Sequence, residues 1–176
     1  MSQGNMRLGT LLVIVALIGV GAWLVLRDDG DSSDSSVAAS IATEDTLRTR
    51  AAEDGAPIYW AGPQAGTELE LSVPEDGRTY IRYLTGGAEP GDPRPDFLTV
   101  GTYEFAEPVP ALEELSESGG GVQRSVPGGG IAYFNREAPE SVYLAYPGIE
   151  VQIEVYDPDP ERAKNLVTSG QIVPVS

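Results

Sequence analysis

The sequence predicts an α+β protein in three parts: an N-terminal transmembrane helix, a flexible acidic linker, and an antiparallel-rich β domain with two short helices. Three observations lead to this prediction. A run of 19 residues without charge lies near the N-terminus, and a stretch rich in Asp and Ser follows it. The rest of the chain then alternates short apolar–polar segments with Gly and Pro, which is typical of strands joined by tight turns.

The uncharged run covers residues 8–26. At about 1.5 Å of rise per residue, a helix of this length spans roughly 28 Å, close to the ~30 Å of a hydrocarbon core. Arg7 and Arg27 bracket the run, and Trp23 lies where an indole suits the headgroup region. A cleaved signal peptide is the alternative, since residues 20–22 have small-residue cleavage character, but the apolar run continues beyond that site and is long for a signal peptide.

Either interpretation exports the remainder of the chain. We expect a cytoplasmic tail at 1–7, a single pass through the cell membrane that contacts the lipid bilayer at 8–26, and an extracytoplasmic C-terminal domain at 56–176. Residues 27–55 are expected to form an acidic linker, flexible over 28–40 because its Gly, Ser and Asp side chains bury little apolar surface. Its second half can form a marginal helix that Thr43 caps and Gly55 ends.

The composition excludes several classes of function. The chain has no Cys and no His, so it lacks a thiolate nucleophile, an imidazole base and the usual zinc ligands. Its 27 acidic and 11 basic residues give a formal net charge of −16, which argues against binding to nucleic acid. We therefore expect no cofactor, no metal site and no enzymatic activity.

The predicted domain reads as a series of strands and two helices. Strands are predicted at 58–60, 68–73, 79–84, 97–105, 122–126, 131–135, 142–146, 150–156 and, as a final edge strand, 171–175. Helices are predicted at 110–118 and 160–169, the second with Asp159 as its N-cap and Gly170 at its end. Alternation on the strands favours antiparallel pairing.

Two short motifs recur at nearly constant spacing. Residues 72–77 (SVPEDG) match 125–130 (SVPGGG), and residues 104–110 (EFAEPVP) match 154–160 (EVYDPDP). Because the order of the motifs is the same, we predict two duplicated β-rich halves, 58–120 and 121–175, related by a pseudo-two-fold axis. The alternative is chance recurrence of short turn sequences.

Few residues point to chemistry. Lys164, the only lysine, is expected on the outer face of the last helix, and the acids of 157–161 either cap that helix or gather around calcium. The rigid loop 91–96 is the preferred partner contact, through Asp92, Arg94 and Asp96, because loops often carry function.

A resemblance rests on residues 57–62 (PIYWAG), 91–102 (GDPRPDFLTVGT) and 141–148 (SVYLAYPG), the last followed by 151–160. These stretches resemble uncharacterised membrane-anchored extracytoplasmic proteins of actinobacterial type. This resemblance implies a membrane anchor and an exported domain but supplies no function.

Three functions remain open on the sequence alone. The first is a membrane-tethered extracytoplasmic binding or scaffolding domain without catalytic activity, whose partner is an unidentified protein or envelope component. The second is an acidic sensor of a small ligand or of a cation such as calcium. The third is an envelope hydrolase that uses paired carboxylates.

Overall fold

The computed structural model describes residues 39–74 and 76–176. The predicted transmembrane helix and the first part of the predicted linker lie outside the described residues. Within the described ranges, no helix has the length and apolarity needed to cross a bilayer.

An eight-stranded antiparallel sheet forms the centre of the domain, as the α+β prediction expected. Its strands are β1 (Ser40–Ala42), β3 (Glu68–Ser72), β4 (Thr79–Leu84), β5 (Thr99–Glu104), β6 (Gly121–Ser125), β7 (Ile131–Asn135), β8 (Ser141–Ala145) and β9 (Val151–Tyr156). Their spatial order is β1-β3-β4-β5-β9-β8-β7-β6. Two short strands, β2 (Tyr59–Trp60) and β10 (Val173–Pro174), pair separately with each other.

Three helices complete the described part of the chain: α1 (Glu44–Asp54), α2 (Pro108–Glu117) and α3 (Pro160–Thr168). The caps of α1 and α3 are those that the sequence predicts. The Thr43 side chain accepts a hydrogen bond from the Thr46 N–H at 3.2 Å, and Gly55 ends α1 in the left-handed region. Asp159 caps α3 by accepting from the Glu161 N–H at 3.1 Å.

The two faces of the sheet differ in chemistry. One face, here called the core face, carries apolar residues such as Ile81, Val100 and Ile153, which pack with α1, α3 and the small β2–β10 sheet. The opposite face, here called the polar face, carries buried polar side chains at the sheet centre. Helix α2 covers one end of the polar face, where Leu112 packs on Tyr133.

The folded domain begins earlier than the sequence predicts. Residues 40–54 were expected within a linker, yet β1 pairs with β3, and Leu47 of α1 is fully buried. The thin apolar stripe makes this helix marginal in isolation. It is sufficient to hold the helix once the helix packs on the sheet, because tertiary packing supplies most helix stability. The expected flexibility of 28–40 therefore does not reach Ser40.

The predicted strand positions agree closely with the structure. The strands at 79–84 and 131–135 have the predicted bounds, and most others differ by one or two residues at their ends. The predicted final strand is shorter, and it pairs with β2 rather than with the main sheet.

The duplication is only partly matched. The strand order is symmetric about the central β5–β9 pair, but its outermost strand on one side, β1, lies outside the predicted half 58–120. However, the repeated S-V-P motifs follow β3, an inner strand, and β6, an edge strand, which are not symmetry-equivalent. In addition, α2 packs on the polar face and α3 on the core face. A two-fold axis that relates two neighbouring antiparallel strands is perpendicular to the sheet, so it maps each face of the sheet onto the same face. Because α2 and α3 pack on opposite faces, the predicted axis does not relate the complete halves.

Candidate functional site

The predicted partner loop is held rigid by its own charges. Arg94 donates to Asp92 through Nε at 3.0 Å and Nη2 at 2.8 Å. These hydrogen bonds lower the pKa of Asp92 to about 2. Asp96 and the Arg94 guanidinium remain exposed, so the structure leaves both side chains accessible while Asp92 is committed to Arg94.

A buried ion pair in the sheet holds the backbone of this loop, and the sequence pattern did not indicate the pair. Arg82 of β4 donates to Glu70 of β3 at 3.0 Å, with both side chains essentially inaccessible. The same guanidinium donates to the backbone carbonyls of Asp92 and Arg94 at 2.8 and 3.0 Å. The loop conformation is therefore built on a charge pair in the sheet. Glu70 alternates with Leu69 and Leu71, a pattern that signals a solvent-facing residue and gives no sign of burial.

A wide, open groove lies elsewhere, at the end of the sheet where β5 ends and β9 begins. This groove has a volume of about 1020 Å³, at the upper end of the range of ligand sites. Three segments line it: 55–57 after α1, 104–110 between β5 and α2, and 146–151 before β9. The middle segment is the E-x-x-E-P-x-P motif, one copy of the predicted repeat.

The groove combines apolar walls with carboxylates. Phe105, Tyr146 and Ile149 are half-buried in its lining, and Tyr146 stacks on Tyr59 with ring centroids 5.8 Å apart. Its carboxylates are those of the exposed residues Glu104, Glu107 and Glu150. No Lys or Arg lines this groove, and none of the three carboxylates forms an ion pair with a described residue.

Glu107 occupies a strained backbone position. Its φ of 55° and ψ of 52° place it in the left-handed region, where a residue with a Cβ costs about 1–2 kcal/mol. It is the only non-glycine residue with positive φ in the described ranges. The Glu107 carbonyl accepts from the Ala111 N–H at 3.2 Å, so this conformation starts α2 while the side chain stays at the groove.

A second hollow, of about 430 Å³, continues the groove and shares Glu104 and Phe105 with it. The two arginines that line it each have an acidic partner: Arg50 contacts Asp54 at 2.7 Å, and Arg78 contacts Asp76 at 3.1 Å. The unpaired charge of the combined surface is therefore negative.

A buried cluster on the polar face offers acid–base groups but no access. Tyr103 and Ser141 donate to the two carboxylate oxygens of Glu154, the serine at 2.8 Å. Burial raises the pKa of Tyr103 well above its usual value, and the nearby Glu154 charge adds to this. Because Glu154 is fully buried and Tyr103 nearly so, we interpret the cluster as a structural network.

The hydrogen bonds of the acids in 157–161 are those of a capped helix, one of the two interpretations that the sequence leaves open. Asp157 accepts from the Asp159 N–H at 2.9 Å and pairs with Arg162 at 3.1 Å. Lys164 lies exposed and contacts Glu161 at 3.1 Å. Among the residues that the structure describes, no group of three or more acidic side chains is arranged to hold a metal ion.

Comparisons with protein-family models, curated proteins and solved structures gave no significant match. The resemblance to actinobacterial membrane-anchored proteins stays a prediction.

Proposed function

We propose that this protein is a membrane-tethered extracytoplasmic binding domain without catalytic activity, and that it binds basic peptide segments in the groove at the sheet end. The observation that carries the proposal is the groove itself, where three unpaired carboxylates border the half-buried side chains of Phe105, Tyr146 and Ile149. Residues 8–26 supply the tether in this proposal.

The chemistry of the groove favours a ligand with both charge and apolar surface. Glu104, Glu107 and Glu150 attract ammonium or guanidinium groups, and Tyr146 offers an aromatic ring to a cation or an aliphatic stem. Lys and Arg side chains combine a charged end with an apolar stem, so a basic peptide meets both requirements. The net charge of −16 adds long-range attraction and should make association depend on salt.

The test is peptide binding by the full chain in nonionic detergent. The probe is a fluorescein-labelled decapeptide of alternating lysine and proline, followed by fluorescence anisotropy at low and physiological salt. The triple variant Glu104→Gln, Glu107→Gln, Glu150→Gln should weaken binding about tenfold, since three exposed charge contacts are lost together.

A matched control separates the site from net charge. Glu113, Glu114 and Glu117 lie on α2 and do not line the groove. Their triple Gln variant changes the net charge by the same amount and should retain binding. Equal weakening in both triple variants would show that only the overall charge attracts the peptide, and would overturn the proposed site.

The tether is tested separately. Protease applied to intact cells should degrade the C-terminal domain, and the full chain should stay with the membrane fraction. If the uncleaved chain is soluble, the tether is wrong, whatever the outcome of peptide binding.

A further inference from the structure

The sheet ends in a strand whose outer edge meets no other strand in the described part of the chain. This strand is β6, which pairs on its inner side with β7. Edge strands present unpaired backbone groups, and proteins commonly protect them with charged side chains, proline, bulges, very short length or a covering element. β6 is five residues long, contains no proline, and pairs with β7 in unbroken register.

The flanking hydrogen bonds identify which backbone groups face outward. The Arg136 N–H donates to the Gly120 carbonyl at 3.1 Å, and the Val126 N–H donates to the Gly130 carbonyl at 3.0 Å. In an antiparallel ladder, alternate residues direct both backbone groups to the same neighbour. The even-numbered residues of this strand therefore face β7, whereas Gly121, Gln123 and Ser125 direct their N–H and C=O groups outward.

Two arginines at this edge have no acidic partner among the described residues. Nine of the eleven basic residues lie in the described ranges, and seven of them form ion pairs. The other two, Arg124 and Arg136, form no ion pair with a described residue, and both lie at β6 or immediately beside it. An acidic protein thus keeps its two unpaired described cations at its open sheet edge.

The edge also has apolar surface on its core-face side. Val122 is 39% exposed, and a hollow of about 150 Å³ beside it combines an apolar part with a polar part. The apolar part consists of Val122, Phe134, Pro139 and Pro160, and the polar part of Arg124, Asn135 and the Glu161–Lys164 ion pair. Val122 and Arg124 lie on the same face of the strand, two residues apart. A strand laid against β6 would therefore place one side chain beside an apolar surface and the next on that face beside a cation.

From this geometry we infer that β6 is a docking edge for an extended acidic segment of a partner protein, which adds to the sheet as a ninth strand. The partner segment alternates an apolar and an acidic residue on the face that meets Val122 and Arg124. Backbone hydrogen bonds supply affinity in such strand addition, and the side chains supply specificity. A second copy of this chain fits poorly, because pairing two β6 edges brings four unpaired arginines together between two molecules of charge −16.

This inference goes beyond the proposed function and uses different residues from the groove. The test measures binding of the full chain, in nonionic detergent, to a fluorescein-labelled peptide, Thr-Val-Thr-Glu-Thr-Val-Thr-Glu-Thr. The same peptide with lysine in place of glutamate serves as its control. We expect the acidic peptide to bind and the basic one not to bind at this edge.

Two variants locate the contact. Gln123→Pro removes one outward N–H and no hydrogen bond to β7, so it should weaken binding about tenfold, while Gln123→Ala retains the N–H and should bind normally. Arg124→Glu should weaken the acidic peptide similarly and leaves the backbone unchanged. It therefore tests the edge even if the proline variant folds poorly, which circular dichroism will reveal.

Three results would overturn the inference. One is equal binding by the Pro and Ala variants at residue 123 when both are folded. Another is equal affinity for the acidic and basic peptides in the variant Glu104→Gln, Glu107→Gln, Glu150→Gln, which lacks the groove carboxylates proposed to bind basic peptides. The third is a wild-type dimer in sedimentation analysis that Gln123→Pro dissociates, because the occupant of the edge would then be a second copy of the chain.

Discussion

At the scale of single residues, the buried pair of Glu70 and Arg82 has the largest structural consequence. The pair lies on two neighbouring strands, and it also ties the 91–94 backbone to the sheet through the Gly91 N–H and two carbonyls. The Arg82 guanidinium lies 4.9 Å from the centroid of the Phe97 ring, and Arg94 lies 5.3 Å from the same centroid. The buried pair therefore fixes the 91–94 backbone of the predicted partner loop.

Breaking this pair should be costly. Arg82→Met leaves the Glu70 carboxylate buried without its cation, and we expect the free energy of unfolding to fall by about 3–5 kcal/mol. The double variant Glu70→Met, Arg82→Met should lose less, because no unpaired charge stays buried. Urea unfolding measures both, with Arg50→Met as an exposed-pair control that should change stability by about 0.5 kcal/mol. A single variant as stable as the double variant would contradict this account.

At the scale of elements, α1 shows how weak local signals become strong in context. Its sequence is mostly polar, and Leu47 is its only fully buried side chain. Arg48 additionally donates to the Ser176 carbonyl at 2.7 Å, which joins this helix to the C-terminus. The helix therefore belongs to the folded domain through one apolar anchor and one long-range hydrogen bond.

Removing the anchor tests whether α1 belongs to the domain. Leu47→Ala should lower the free energy of unfolding by about 2–5 kcal/mol, the usual cost of a cavity at a fully buried leucine. Glu53→Ala, on the exposed side of the same helix, should change it by less than about 0.5 kcal/mol. If thermal or urea unfolding of the leucine variant matches wild type, residues 44–54 act as a linker.

At the scale of the whole molecule, the tyrosines link the structure to pH. Burial raises the pKa of every tyrosine in the chain, and each of these residues is buried or half-buried. They are Tyr59, Tyr80, Tyr83, Tyr103, Tyr133, Tyr143, Tyr146 and Tyr156. The folded protein thus keeps its phenols protonated at a pH where an unfolded chain releases them.

The sign of the pH dependence follows from this difference. Above pH ~10, the unfolded chain binds fewer protons than the native one, so the free energy of unfolding should fall as pH rises. We expect phenolate absorbance at 295 nm to appear together with loss of the native circular dichroism signal. Ionisation of all the tyrosines with ordinary pKa values while the fold persists would show that the phenols are not protected.

The sequence by itself determined the class of the fold and most of its local elements. Period-two alternation, Pro and Gly punctuation and the Asp159 cap are local signals, and they placed the strands and α3 within about two residues. The composition also shows that the chain has no imidazole and no thiol, since residue counts do not depend on the fold. The loop at 91–96 was recognisable as a loop for the same local reason.

Tertiary structure decided the features that depend on contacts between residues far apart in the sequence. The groove joins residues near positions 56, 105 and 149, and the Glu70–Arg82 pair is buried because the 91–94 loop folds over it. Of the two repeated motifs, the pair at 104–110 and 154–160 follows the central strands β5 and β9, whereas the S-V-P pair follows strands at inequivalent places in the sheet. Burial, unpaired charge and the open edge at β6 all depend on which strands become neighbours, and only the assembled sheet fixes that order.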